Sequence, residues 1–565
     1  MTTTEPTTTT PPALRPVIRP VWIIGFVGHR PKPGVPGRTS EQIESCRAAL
    51  HEALTECQRQ AREAGGEAEL HCSLAEGADL LAISIAENLK MPVHIVLPMP
   101  WETFRLDYEP QDGEEEPRSL QDATRYRNLA LLDDSHWTIR IAEGDNARPA
   151  CYHDANLQML ETADVLIAIC TSEALEEPEP YSLGGTPETI GLAGSNRFGV
   201  PAIVLDPANN GVVILPSSAD CPTKAANQAL KPSLIDPVLE AIKSDLAQPA
   251  ALVPPTGKQR GDTDPVWDIH CALDNVANST SYDFRTTTTR SLHLHFTATI
   301  IAAVTASFAA VLNGTLHAVP PVLTFIEFAF VFTAFVLVWI ARRRNCNPRW
   351  RRARFAAEVA DSQTSAAGLI DPLRPLVIRH DDRWKRFAIA VGLDAYRQVR
   401  QRIGAKDSDE RLGILKDTYL KQRIHAQEEY YSSELTKAKS TFHRWHRIQN
   451  ITLGVAIIAI AISFAAKLNH WKMGGDWGYA FVVLFLPIFL PLLIAFAASM
   501  IVANDAARRA TRYANVLERL GRFTRIIPSV RTPMAMRRVV AESEDIMLDE
   551  VIEWHATAEN LEHLH

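Results

Sequence analysis

The chain has 565 residues, a formal net charge of −8, 46% hydrophobic residues and 22% charged ones. That length exceeds what one core supports, so about two to four domains are expected, and the acidic balance excludes a general polyanion binder by composition. The mean hydropathy of −0.07 averages four long apolar runs with a charged remainder.

The first residues, MTTTEPTTTTPPALRP, are rich in Thr and Pro and lack an apolar h-region. A disordered tail over 1–20 and no secretory signal are expected. From Val21 the pattern becomes short buried strands alternating with helices: VWIIGFV, a helix over Ser40 to Ala64, AELHCS, a helix to about Leu89, VHIVLP, HWTIRI, a helix around Asp154 to Thr162, ADVLIAIC and VPAIVLDP. Continuous apolar strands with intervening helices predict a parallel sheet covered on both faces, a Rossmann-like α/β domain over 21–207. In such sheets ligands bind beyond the carboxyl ends of the strands.

Three turns at those ends form a constellation of candidate ligand-binding residues. Gly28, His29 and Arg30 follow the first strand, where a glycine admits a ligand close to the backbone and an arginine can meet a phosphate. Ser73, Glu76, Gly77, Ala78 and Asp79 open a helix whose free N–H groups favour an anion. Gly184, Gly185 and Thr186 precede Pro187, a good first helical residue, with Thr186 placed to cap and Glu188 two residues on. Against this stands a plainer reading. Glycines at strand-to-helix turns serve geometry with or without a ligand, Asp79 can simply orient its helix, and His29 can be a polar loop residue.

Residues 208–290 hold another apolar run (GVVILP), a predicted helix (SLIDPVLEAIKSDLA), a linker (PPTGKQRGDTD) and a helix from Trp267 leading towards the membrane. Two apolar hairpins follow, Phe296 to Leu312 with Pro321 to Ile340, and Ile451 to Ala466 with Tyr479 to Val502. Each run suits a hydrocarbon core about 30 Å thick, crossed by roughly 20 helical residues. Arg342, Arg343, Arg344, Arg349, Arg351, Arg352 and Arg354 leave the first hairpin, while its turn has no Lys or Arg. Arg444, Arg447, Arg508, Arg509 and Arg512 flank the second, against Lys467 and Lys472 in its loop. The positive-inside rule then puts both termini in the cytoplasm. A basic run beside a membrane helix argues for topology or lipid rather than nucleic acid. The eight cysteines avoid the two outer loops and show no CxxC spacing, which fits free thiols and no metal site.

Glu327 lies one-third of the way into the second span and is the pore-lining candidate; the alternative is that it snorkels or packs protonated. Its cost of about 2.5–3.5 kcal/mol is outweighed by the surrounding apolar residues. Pro487 and Pro491 can bend the fourth span. Between the hairpins, Leu420, Ile424, Gln427, Tyr431, Leu435, Ala438, Phe442 and Trp445 recur on one helix face running into the third span. Further helices are expected over Arg508 to Leu520 and Met534 to Glu559, packing together below the membrane.

GFVGHR, SLAEGADLLA, VLPMPWETFRLDY and GGTPET together resemble the SLOG superfamily of Rossmann-like domains, which includes LOG and DprA-type proteins. The resemblance covers about Val21 to Pro207 and implies binding of a nucleotide or ADP-ribose-type signal. LOG enzymes carry PGGxGTxxE; here LGGTPET places Glu188 two residues after Thr186 instead of three, which favours sensing over N-glycosidic hydrolysis. YLKQRIHAQEEYYSSELTKAK, the second hairpin and EDIMLDEVIEW are similar to the SLATT domain, a two-transmembrane module, over about Thr418 to Leu561. RARFAAEVADSQ after the first hairpin resembles a diverged copy, and internal duplication would explain two hairpins of one orientation. The expected division is therefore 208–290 as connector, 291–410 as the first membrane module and 411–565 as the second.

These resemblances imply a homo-oligomeric, pore-forming effector of the bacterial inner membrane, in a defence or conflict system, switched by a nucleotide-derived ligand. A membrane-tethered nucleotide N-glycosidase using Glu76 or Glu188, and a passive membrane scaffold, are the competing expectations.

Overall fold

Short, doubly buried apolar runs build the first half of the chain. A computed structural model describes residues 17–108, 117–131, 137–141, 148–176, 183–216, 219, 221–248, 265–315, 319–369, 377, 382–403, 408–468 and 475–563. The expected N-terminal tail to residue 16, the PPTGKQRGDTD linker and the middle of the second hairpin loop lie outside the described residues. Strands β1 (Val21–Gly28), β2 (Glu67–Cys72), β3 (Val93–Leu97), β4 (Trp137–Ile141), β5 (Val165–Ile169), β6 (Ala202–Asp206) and β7 (Val212–Leu215) form one sheet of order β4-β3-β2-β1-β5-β6-β7. All pairs are parallel except β6–β7. The run GVVILP thus supplies an antiparallel edge strand, carrying the α/β domain past the expected boundary at Pro207.

Period-two alternation sends Trp22, Ile24 and Phe26 to one face of the sheet and Val21, Ile23 and Val27 to the other. The first face is covered by α1 (Arg47–Glu63), α2 (Ala78–Asn88), α3 (Arg118–Leu131) and α6 (Pro222–Leu230). On the second lie α4 (Arg148–Thr162) and α5 (Thr186–Ala193). The helix expected over Ser40 to Ala64 is broken at Cys46, against which the Asn210–Gly211 turn packs; a Cβ on Gly211 would stand 3.1 Å from the Cys46 Cα.

The remainder is helical: α7 (Pro237–Leu246), α8 (Pro265–Thr315), α9 (Val319–Arg343), α10 (Cys346–Ala366), α11 (Lys385–Ile403), α12 (Ser408–Tyr419), α13 (His425–Leu468), α14 (Leu486–Ala503), α15 (Ala506–Ile526) and α16 (Pro533–His563). Four of these helical stretches are long and apolar enough to cross a membrane. α8 packs between α9 and α14, and α13 packs on α14, so the spans form an open row with α9 and α13 at its edges. In α13 the residues turned inward are small (Thr452, Ala456, Ala459, Ser463 and Ala466), while Ile451, Val455, Ile458, Ile462 and Phe464 are exposed. Small residues inside and large apolar ones outside is the pattern of helices packed in lipid. Pro487 lacks the N–H that would reach back towards Val483. The Ser463 hydroxyl donates to that Val483 carbonyl at 3.1 Å instead, and a π-helical turn over Ala480–Phe485 precedes the proline.

The two hairpins share a plan. Each begins with a long helix (α8, 51 residues; α13, 44 residues) whose C-terminal part is apolar. Each second span then ends at a left-handed residue, Asn345 (φ 50°) or Asp505 (φ 47°). A 21-residue helix follows in both, α10 or α15, folding back on its long helix. Asn and Asp are among the few non-glycine residues that tolerate this backbone conformation.

One helix joins the two halves. α11, expected to belong to the first membrane module, sets Ile389 and Leu393 into the second face of the sheet and Phe387, Ala388 and Val391 into the helical core. Arg386 pairs with Asp164 at 3.0 Å and covers the Trp22 ring; Arg397 pairs with Glu67 at 2.9 Å. Below the second hairpin Arg423, fully buried, is held by Glu358 and Asp361 of α10 and Glu544 of α16.

Candidate functional site

The chain lays β2, β3 and β4 outward on one side of β1 and then returns to place β5 on the other, so β1 and β5 flank the switch point of the sheet. Here a cleft of about 460 Å³ opens, walled by Gly28, His29 and Arg30 after β1, Ser73 after β2, Pro98 after β3, and Gly184, Gly185 and Thr186 before and within α5. All three turns singled out in the sequence meet at this one place, where α/β folds bind their ligands.

Arg30, Lys32, Arg38 and Arg148 all line the cleft. Asp107, behind the wall, accepts from Arg30 at 3.0 Å and from Arg148 and Tyr152 at closer range, and Arg30 also donates to Tyr152. One buried carboxylate thus anchors two guanidinium groups and leaves net positive charge facing the cavity. The His29 imidazole is driven down to about 4 by burial and then by the neighbouring Arg38, so it is neutral at pH 7 and its Nδ1 accepts from Arg38 at 2.9 Å. Asp79, in the first turn of α2, is buried and bonded to the Ser73 hydroxyl; burial raises its carboxyl to about 7, against the pull of Ser73 and Arg30. The cleft therefore offers fixed cations, a neutral imidazole and a carboxyl poised near neutrality.

Not every singled-out residue reaches the wall. Glu76 points to α3 and accepts from the Ser119 hydroxyl at 2.8 Å. Gly77 adopts φ +89° and Ala78 packs behind Gly28, where a Cβ would come within 2.2 Å of the Ala78 Cβ. The missing side chain of Gly28 therefore serves contact between β1 and α2 as well as the cavity. Gly185 caps α5 and Thr186 is its first residue, with no side-chain cap bond, because Gly185 already holds the extended cap conformation. Glu188 accepts from the Gly184 backbone and lies 3.1 Å from His153, fastening the turn to α4. Gly184 is required there: at φ +79° a Cβ would press on Tyr152 at 2.6 Å.

Lys32, Arg38, Arg148, Tyr152 and Asn156 were missed from sequence. Arg148 and Pro149 at the start of α4 carry the one local signal, a basic residue beside a helix-opening proline. Glu327 is far away in α9, half-buried on the side of the helix that carries Leu323 and the buried Ala334. All eight cysteines are free thiols, and among the described residues no cluster is arranged to hold a metal ion.

Fold and cleft together define a Rossmann-like α/β domain joined to a helical membrane region. No protein-family model, curated protein or solved structure matches the chain.

Proposed function

We propose that the protein is a ligand-gated membrane effector: a phosphate-bearing, nucleotide-derived small molecule binds in the cleft and shifts the helices that carry the hairpins. The observation that carries this reading is the convergence of Arg30, Lys32, Arg38 and Arg148 on a cavity at the switch point of the sheet. Fixed guanidinium groups bind phosphate in bidentate fashion. α11 supplies the route, since one of its faces belongs to the sheet core and the other to the helical core. A ligand moves such an equilibrium only through its differential affinity for two states. The likeness to SLOG and SLATT domains supports the same assignment, and the shared plan of the two hairpins supports an internal duplication. In this reading the protein sits in a bacterial inner membrane with both termini cytoplasmic, assembles as a homo-oligomer, turns Glu327 towards the pathway and acts in a conflict system.

Thermal-shift measurements on the full-length protein in detergent, against linear, cyclic and ADP-ribose-type nucleotides, test the binding step. Stabilisation by at least one of these is expected, together with its loss in Arg30→Gln and Arg148→Gln. Stabilisation that persists undiminished in both variants would place the ligand elsewhere.

A hydrolytic reading draws on one observation, the Asp79 carboxyl near pKa 7 in the cleft, a value suited to acid–base work. It shifts the acid/base role from Glu76 and Glu188, which face away from the cavity, to Asp79. Base release from a nucleotide that disappears in Asp79→Asn would favour it.

A further inference from the structure

The arginines around the end of α9 fall into two classes. Arg349 and Arg352 pair with Asp245 at 3.4 and 2.8 Å, and Arg354 pairs with Asp274 at 3.0 Å. These three are structural ions, paired inside the protein, Arg354 also lying 3.6 Å from Glu358. Arg342, Arg343 and Arg344 are exposed and have no carboxylate partner among the described residues; Arg343 lies 5.1 Å over the Trp339 ring. The other edge of the row repeats the division. Arg509 pairs with Glu434 and Arg512 with Asp505, whereas Arg444 and Arg447 are exposed and have no carboxylate partner among the described residues, Arg444 lying 5.9 Å from the Trp445 ring.

These exposed charges lie at the level where the apolar spans end. Phe496 of α14 touches His293 and Phe296 of α8 at 5.3 and 4.2 Å and Trp445 of α13 at 5.9 Å, which fixes these three helices in register. Aromatic rings with a polar tip collect at the headgroup level of a bilayer.

We propose that this rim binds the phosphate headgroups of anionic phospholipids at two clusters, Arg342, Arg343 and Arg344 beside α9, and Arg444 and Arg447 beside α13. Spare guanidinium charge at a membrane boundary meets its counter-ion on the lipid. The clusters sit on the two outermost helices, where lipid has access. Each such arginine is worth about fivefold in lipid affinity. The inference rests on the reading of the four apolar helices as membrane spans.

The test uses the full-length protein in nanodiscs of phosphatidylcholine alone or mixed with phosphatidylglycerol, with native mass spectrometry counting the lipids retained on release. Retention of phosphatidylglycerol over phosphatidylcholine is expected, undisturbed by inorganic phosphate at matched ionic strength. Arg342→Gln/Arg343→Gln/Arg344→Gln should lower that preference at least tenfold, the corresponding triple lysine variant should keep most of it, and Arg62→Gln on the α/β domain should not change it. Should the glutamine triple fail to fold, Arg344→Gln alone carries the test, with a loss of about fivefold. Equal retention of the two lipids, or a preference unmoved by the glutamine variants, overturns the proposal while leaving the membrane spans standing. Failure to enter nanodiscs of either composition overturns the spans as well.

Discussion

Asp79 holds its proton up to about pH 7 because burial denies the carboxylate its water, whereas an unfolded aspartate loses it near the ordinary value of 3.8. The folded state therefore binds more protons between those values, so this residue's contribution makes stability fall as pH rises from about 4 to about 7, with no further change above. Asp79→Asn removes that slope. Unfolding midpoints of the full-length protein in detergent should show the variant gaining on the wild type across this window and keeping that gain at pH 8. The difference between the two proteins isolates Asp79 from His29, whose depressed pKa works in the opposite direction as pH rises. A constant difference from pH 4 to pH 8 would mean that Asp79 is solvated.

At the scale of elements, the Arg423 cluster is the most exacting contact in the helical half. Its guanidinium reaches Glu358 at 2.9 Å and Glu544 at 2.8 Å and also binds Asp361, while burial holds the Glu544 carboxyl above its usual range despite Arg423. The turn that carries it, Leu420–Ile424, is π-helical, a local widening often tied to a specific side-chain demand. Replacing Arg423 with Leu strands three acidic groups in the interior, at a cost of about 3–5 kcal/mol. Chemical denaturation that finds a loss below about 1 kcal/mol would show that water reaches the cluster.

Strands β1, β5 and β6 were legible as near-continuous apolar runs, β2 and β4 less so because Glu67, Glu69, His71 and Arg140 interrupt them, and the spans because no polar face interrupts them. The αL breaks at Asn345 and Asp505 were not legible, since a single Asn or Asp inside a helix-forming stretch has no signature of its own. Nor was the docking of α11, whose Arg397 meets Glu67 across 330 positions of sequence. The glycine turns pointed to the cleft, but Arg38 and Arg148 reach it through tertiary folding alone. Glu188 looked like chemistry and proved to be a fastener of the Gly184 turn.

The whole molecule is an α/β domain joined by α11 to two helical units of one plan, whose long apolar helices pack in a row. In the proposed gating the apolar edges of that row would meet lipid or another copy, and Glu327 lies on one of the edge helices. A change at the cleft that repositions α11 would be felt by both units, because the Arg423 cluster ties α10 of the first to α16 of the second. Ion flux from liposomes containing the purified full-length protein tests this coupling most directly. Addition of the nucleotide that stabilises the protein should release trapped ions, and Arg30→Gln should abolish the release. Tight binding of that nucleotide with no flux would contradict the account.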